Sequence, residues 1–120
     1  MNKYDLEERL ILFSVQIIKL SESLNKTFAG VHLGKQIIRS ATSSALNYGE
    51  AQSGESPRDF IHKMGICLKE LRETIINSKI IKYAILSNNE VLLEGCLKEN
   101  NELISIFVRS IETAKRNNRK

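Results

Sequence analysis

The sequence predicts an all-α protein, an antiparallel up-down-up-down four-helix bundle. The 120 residues include only one Pro and six Gly, so few positions interrupt long helices. Apolar residues recur at spacings of three and four in four separate segments, which is the period of one helix face. The segments are separated by short connections, which place successive helices antiparallel. We expect a single domain covering residues 1–120, because this length fits one hydrophobic core.

The first helix is predicted by a stripe with heptad-like spacing. Asp5 and Glu8 have the spacing of a capping box, so the helix is expected to begin at Asp5 and to end between residues 25 and 27. The stripe consists of Leu6, Leu10, Phe13, Ile17, Leu20 and Leu24. Three further apolar residues widen it, which predicts that this helix has neighbours on more than one side. They are Ile11, Val15 and Ile18.

The second helix contains a long run of small residues. It is predicted to start between residues 27 and 31 and to stop near residues 53 and 54, and from residue 39 onward it offers mostly Ser, Ala, Thr, Asn and Gly. Small residues let helix axes approach more closely than the usual ~8–10 Å. The close contact is either with the third helix or with a second copy of the chain, and the broad apolar faces of helices one and three favour the second copy. The expected interface residues are Ala41, Ala45 and Gly49.

The third helix has the clearest start signal in the chain. Ser56 is the expected N-cap, Pro57 stands in the first turn, and Asp59 occupies the third position. The helix is expected to extend to about residue 86, with Ile85 in its apolar stripe. If the turn before it centres near residue 54, the hairpin places Ala45 opposite residue 65.

The fourth helix is expected to begin at a second capping box, formed by Ser87 and Glu90. It carries apolar positions as far as Ala114 and ends in a basic tail, KRNNRK, with four cations and no acid. Because Asn117 and Asn118 are poor helix formers, the tail is predicted to be frayed.

No catalytic or metal-binding constellation is evident, so we expect no enzyme activity and no cofactor. The ligand set of a di-iron bundle cannot be completed with two His. Arg58 and His62 raise the alternative of a ribonuclease, since some all-helical HEPN ribonucleases carry an Arg followed by a His, but at a longer spacing. Cys67 and Cys96 are offset by about 13 residues, or roughly 20 Å, along antiparallel helices. A disulfide requires Cα atoms within ~7 Å, so both are predicted to be small buried core residues.

The net charge of +4 permits an acidic partner such as RNA without requiring one. Arg72, Lys79 and Lys82 share one face of the third helix, where the alternative is an ordinary solvated surface that Glu70 and Glu73 partly neutralise. The candidate nucleic-acid-binding residues are Arg39, Arg72, Lys79, Lys82, Lys115, Arg116, Arg119 and Lys120.

Two function classes are disfavoured by composition. Trp is absent and aromatic residues make up 6% of the chain, so no base-stacking platform is indicated. Apolar runs are too short for a transmembrane helix, and the acidic N-terminal stretch MNKYDLEERL does not resemble a signal peptide. We therefore expect a cytoplasmic protein.

The stretch QIIRSATSSALNYGEAQSGESPRDFIHKMGICLKELRET resembles the signature of the four-helix-bundle proteins encoded in bacterial 23S rRNA intervening sequences. That family shows a Gln-aliphatic-aliphatic-Arg-Ser-Ala run, then Asn and Glu-Ala, then Ser-x-x-Asp-Phe, then Lys-Glu-x-x-Glu-Thr. The matching residues are Gln36, Arg39, Ser40, Ala41, Asn47, Glu50, Ala51, Ser56, Asp59, Phe60, Lys69, Glu70, Glu73 and Thr74. The family often has a Trp shortly after Glu-Thr, where this chain has IINSKII.

The resemblance extends to a related branch, the accessory variability protein of diversity-generating retroelements. What it implies is a non-enzymatic bundle that forms a homopentamer. It further implies a role with RNA or DNA, and a protein partner such as a reverse transcriptase. A structural scaffold without nucleic-acid binding is the alternative.

Overall fold

The computed structural model describes residues 1–119 and contains four α-helices. They are α1 Lys3–Glu22, α2 Phe28–Gln52, α3 Pro57–Tyr83 and α4 Glu90–Asn118. Helices that follow one another in sequence pack together, and α1 also packs on α4, which closes the bundle. Within the described residues the one β-type pairing is an isolated bridge between Leu24 and Ser87. The predicted all-α, antiparallel four-helix bundle is confirmed, with extents of 51 × 21 × 21 Å.

The start of α1 lies earlier than predicted. Asn2 is the N-cap, and its side chain accepts hydrogen bonds from the backbone N–H groups of Tyr4 and Asp5. Asp5 completes a capping box by accepting from the Asn2 backbone N–H at 3.2 Å. The prediction that Asp5 is itself the cap was wrong because it took the last residue of the box for the first.

The boundaries of α2 and the start of α3 agree with the sequence. Thr27 caps α2 by accepting from the Gly30 backbone N–H. Ser56 caps α3 by accepting from the Asp59 backbone N–H at 3.0 Å, with Pro57 as the first helical residue. The α3 helix ends at Tyr83, before the predicted end near residue 86.

The connection from α3 to α4 begins earlier than predicted, because Ile85 was expected to continue the stripe of α3. Instead, Ile85 has φ 55° and is 77% exposed in this connection.

Both ends of α4 also differ from the prediction. The N-cap of α4 is Asn89, which accepts from the Leu92 backbone N–H at 3.1 Å, so Ser87 is not the cap. At the other end α4 continues to Asn118, so residues 115–118 are helical rather than frayed.

The core consists of the predicted inner stripes. The largest fully buried side chains come from all four helices and include Phe13, Ile37, Leu71 and Phe107. None of the four helices in residues 1–119 is long and apolar enough to cross a membrane. At one end of the bundle the α1–α2 loop and the α3–α4 loop are joined by backbone hydrogen bonds, including Asn25 N–H to the Leu86 carbonyl at 2.8 Å.

Candidate assembly and nucleic-acid-binding surfaces

The residues of the sequence signature meet where α2 packs on α3. The hydroxyls of Ser40 and Thr74 are buried and 2.7 Å apart. Each hydroxyl also has a backbone acceptor in its own helix, the Glu70 carbonyl at 2.8 Å for Thr74 and the Ile37 carbonyl at 3.3 Å for Ser40. The predicted hairpin register placed Ser40 opposite Glu70 and Ala45 opposite Gly65. The observed pairing lies one helical turn further along α3.

Arg39 joins the two acids of the signature on the α2–α3 surface. Its guanidinium lies 3.4 Å from a carboxylate oxygen of Glu70 and 2.9 Å from one of Glu73. The Glu70 side chain is only 10% exposed, so an opposite charge and hydrogen bond beside it offset the cost of its burial. The sequence allowed some of the candidate basic residues to pair with Glu70 or Glu73 instead of binding nucleic acid, and Arg39 does so.

A groove of about 650 Å³ opens beside this cluster along α2 and α3. Apolar Leu68 and Ile76 line it together with the charged side chains of Arg39, Lys69, Arg72 and Glu73. Lys69 and Arg72 form no ion pair with any residue in the described range 1–119. The groove therefore combines apolar side chains with two cations that have no ion-pair partner in residues 1–119.

Lys69 and Ile76 were not among the candidate site residues of the sequence analysis. Their signal is the spacing of Lys69, Arg72 and Ile76 at positions i, i+3 and i+7, which puts them on one side of a helix. That spacing does not reveal a groove, because a groove depends on how the neighbouring helix lies.

The glycines and alanines of the predicted interface differ in their surroundings. Ala41 is 0% exposed, so it has no surface to offer a second chain, and its assignment to an interface was wrong. Small side chains at such positions fill the core of the bundle itself. Ala45 and Gly49 are partly exposed, and their assignment remains a prediction. A Cβ built at Gly49 or Gly65 would meet nothing within 4 Å, so packing within the chain requires neither glycine.

The outer face of α1 is a second surface with no packing partner in the bundle. This α1 stripe consists of Tyr4, Ile11, Leu12, Val15 and Ile18, which are 39% to 67% exposed. Three of the five were expected to bury themselves against a further neighbour, and in the single chain no helix covers them. Such a concentration of exposed apolar side chains on one helix indicates an interaction surface.

The basic residues predicted to bind nucleic acid do not form one patch. Arg39 is paired with two acids, and Lys82 lies 2.7 Å from Glu94 of α4, whose hydrogen bond and charge raise the pKa of Lys82. Arg72 and Lys79 are exposed and form no ion pair with residues 1–119.

The C-terminal turn of α4 holds a separate group of cations. Lys115, Arg116 and Arg119 are exposed, and the Arg116 guanidinium donates to the Thr113 hydroxyl at 3.3 Å. Lys120 lies outside the described residues. From Glu94, the partner of Lys82, to Lys115 is about 21 residues of helix, or roughly 30 Å. The tail and Lys82 therefore cannot contact the same few phosphates from one chain.

Reactive side chains are placed without catalytic partners in the described part of the chain. Cys67 and Cys96 are free and buried, as predicted, and burial raises the pKa of the Cys67 thiol to about 12 and of Cys96 to about 11. Arg58 and His62 are both exposed in the first turns of α3. Residues 1–119 contain no group of three or more His, Cys, Asp or Glu that could hold a metal ion.

Fold and surfaces define a small all-helical bundle with a charged signature cluster on its α2–α3 side. Residues 3–109 match the family described as 23S rRNA-intervening sequence protein, and the chain belongs to this family. Among curated proteins none matches the chain.

A solved structure supports the same assignment. The chain is similar to the crystal structure of a protein with unknown function from the S23 ribosomal protein family of Bacteroides thetaiotaomicron. The two share 26% sequence identity and a TM-score of 0.79, and the match covers 93% of this chain and 99% of the other. The resemblance seen in the sequence is thereby confirmed at the level of the family.

Proposed function

We propose that this protein is a non-enzymatic homo-oligomer, a pentamer as the family resemblance implies, that binds RNA or DNA without sequence preference through basic residues. The observation that carries the assembly is the α1 stripe. Its five large apolar side chains are exposed in the single chain, and a second copy would remove them from water. Each buried CH₂ contributes about 0.8 kcal/mol, so covering several such side chains favours association.

The nucleic-acid part of the proposal is supported by the C-terminal turn of α4. Lys115, Arg116 and Arg119 lie within one helical turn and are exposed. A single such turn makes few phosphate contacts, whereas several copies in one oligomer add their contacts through multivalency. Binding of this kind should be independent of sequence and steeply dependent on salt.

A scaffold without nucleic-acid binding is the second candidate. The C-terminal carbonyls of a helix carry partial negative charge, so cations in its last turn stabilise the helix even when no nucleic acid is bound. In that case the exposed apolar and charged surfaces serve a protein partner, of which a reverse transcriptase is the kind that the family resemblance suggests.

Deletion of residues 115–120 separates the two candidates. Binding of a single-stranded RNA and a duplex DNA is measured by fluorescence anisotropy at several salt concentrations, with the oligomer size checked by light scattering. We expect the deletion to weaken binding by at least about tenfold at low salt, because it removes phosphate contacts from every copy. The matched control replaces four other exposed cations with Gln, which lowers the net charge equally: Lys3, Lys19, Lys26 and Lys98.

Two outcomes would contradict the proposal. If the truncated chain binds as tightly as the full chain, the tail is not the binding site. If neither form binds at low salt, the scaffold function replaces nucleic-acid binding.

A further inference from the structure

We propose that the α1 stripe of one copy packs into the α2–α3 groove of a second copy. The inference rests on the self-assembly proposed above and names the two surfaces that meet. Both surfaces belong to the same chain, and both are uncovered in the single bundle. The stripe is a convex row of aliphatic side chains, whereas the groove is concave with Leu68 and Ile76 in its lining.

The dimensions of the two surfaces agree. The aliphatic part of the stripe runs from Ile11 to Ile18, which is about 10 Å along the helix axis. The groove extends along α3 from Gly65 to Ile76, or about 16 Å, so it is long enough for this part of the stripe. A Cβ at Gly65 would point into open space, and its absence leaves room for another helix to come close.

The charges around the two surfaces are opposite in sign. Glu7 and Glu8 flank one end of the α1 stripe and Glu22 the other, and all three are exposed without an ion-pair partner in residues 1–119. The cations between these acids on α1 are Arg9, which is paired with Glu99 and Glu102 of α4, and Lys19. In the groove Arg39 is paired with Glu70 and Glu73, whereas Lys69 and Arg72 have no ion-pair partner in residues 1–119. With three cations against two acids, the groove keeps a net positive charge.

Charge complementarity favours a second copy over an unrelated occupant. Complementary charges orient two approaching copies and select the partner more than they add affinity. The aliphatic contact therefore supplies most of the binding free energy. A contact between two α1 stripes would instead bring three acids of each copy together, which is unfavourable.

The proposed contact is heterologous, because it joins two different surfaces. Heterologous contacts produce closed rings when the rotation between copies closes, and they are the only contacts that can build a cyclic ring with an odd number of subunits. Each copy then uses one stripe and one groove. Because the two surfaces differ, a variant can damage one and leave the other intact, which distinguishes this contact from one between two identical surfaces.

Two single variants test the contact. Val15→Arg places a cation on the stripe, where it faces Lys69 and Arg72 in the partner's groove, and Ile76→Glu places an acid in the groove, where it faces the acids of α1. Both residues are at least 40% exposed, so the bundle should fold in each variant, which circular dichroism and thermal unfolding verify. We expect each variant alone to be monomeric near 13.6 kDa by light scattering.

Mixing the two variants is the decisive measurement. Val15→Arg retains an intact groove and Ile76→Glu retains an intact stripe, so the mixture forms at least this one productive contact. In the other contact the two introduced charges are opposite in sign, so we expect a mass of at least twice the chain mass. The matched controls are Val91→Arg and Val91→Glu, which make the same changes at an exposed apolar position of α4 and should assemble as the wild-type chain does.

Each alternative result has a distinct meaning. If either variant alone assembles as the wild-type chain does, or if the mixture remains monomeric, the stripe-to-groove contact is wrong although self-assembly stands. If the wild-type chain is itself monomeric at micromolar concentration, the proposed oligomeric function falls together with the contact.

Discussion

Glycines inside the helices differ in what a methyl group would meet. At Gly49 and Gly65 an added Cβ has open space around it, whereas at Gly30 it would lie 1.9 Å from the Asn25 backbone oxygen. Alanine has a helix propensity about 1 kcal/mol better than glycine. The helical glycines therefore fall into two classes with opposite expected responses to the same substitution.

We predict that Gly49→Ala and Gly65→Ala each raise the free energy of unfolding of the isolated bundle by up to about 1 kcal/mol. Gly30→Ala is the control and should lower it, because backbone would have to move. Urea unfolding of each change in the monomeric Val15→Arg background provides the measurement. A destabilising Gly65→Ala would show that the helix needs this glycine within a single chain.

Both cysteines are buried, and burial disfavours the thiolate, while the negative charges of Glu50 and Glu70 disfavour that of Cys67 further. The pKa of Cys67 is raised to about 12 and that of Cys96 to about 11, above the ordinary value of 9.0. The native state thus keeps its thiol protons at pH values where the unfolded chain loses them. The resulting stabilisation is complete below pH 9 and is lost as the pH rises toward 12.

We predict that a Cys67→Ala, Cys96→Ala double variant loses less stability between pH 9 and pH 12 than the wild-type chain. Equilibrium unfolding at stepped pH values measures how the free energy of unfolding changes with pH in each protein. The Lys and Tyr titrations are common to both proteins, so they cancel when the two slopes are compared. Thiol-specific labelling at pH 8 should also be slow in the folded protein and fast in urea. Parallel pH slopes, with rapid labelling of the folded chain, would contradict the assigned burial.

Helix packing places two buried serines in different circumstances. Ser40 on α2 hydrogen-bonds to Thr74 across the α2–α3 contact. The Ser78 hydroxyl on α3 is buried and has no hydrogen-bond partner in residues 1–119. Leaving such a group unpaired costs roughly 1–3 kcal/mol of desolvation, whereas a typical paired one contributes about 1 kcal/mol.

We predict that Ser40→Ala lowers the free energy of unfolding by about 1 kcal/mol and that Ser78→Ala leaves it unchanged or raises it. The two substitutions remove the same atom from buried sites, so each is the control for the other. A double-mutant cycle of Ser40→Ala with Thr74→Val should give a positive coupling energy, and Ser78→Ala should show none with Thr74→Val. Equal losses from both serine substitutions would argue against the assigned hydrogen bonding.

The helices were predictable because apolar period and cap chemistry are local in sequence. Ser56 and Pro57 fixed the start of α3 correctly. The start of α1 was misplaced because two residue pairs, Asn2 with Asp5 and Asp5 with Glu8, have the spacing of a capping box. Only the backbone conformation shows that the first pair forms it. The prediction of Ser87 as the N-cap of α4 was wrong for a similar reason, since Asn89 is an equally good cap two residues later.

The candidate surfaces were less predictable, because they depend on how helices lie against one another. A small residue serves a core or an interface equally well, and Ala41 proved to be core. The turn position gave the α2–α3 register only to within one helical turn. That accuracy suffices for Arg39, since the predicted register places it opposite residue 71, and the structure pairs it with Glu70 and Glu73.

The whole molecule carries its cations and apolar surfaces on different parts of an elongated body. The basic turn of α4 lies at one end of the 51 Å long axis, whereas the α1 stripe and the α2–α3 groove run along its sides. Contacts along the sides would therefore leave the C-terminal turns of all copies free. In a ring whose subunits share one orientation, these turns would gather at one end, as multivalent phosphate binding requires.

Self-assembly stabilises the folded chain by mass action, because folded chains associate and unfolded chains do not. We predict that the Tm of the wild-type chain rises over an approximately hundredfold range of protein concentration, whereas the Tm of Val15→Arg stays constant. Scanning calorimetry at each concentration measures both, with Val91→Arg as the control that should behave as wild type. If the wild-type Tm does not change with concentration, covering the α1 stripe does not stabilise the fold, and self-assembly loses its energetic basis.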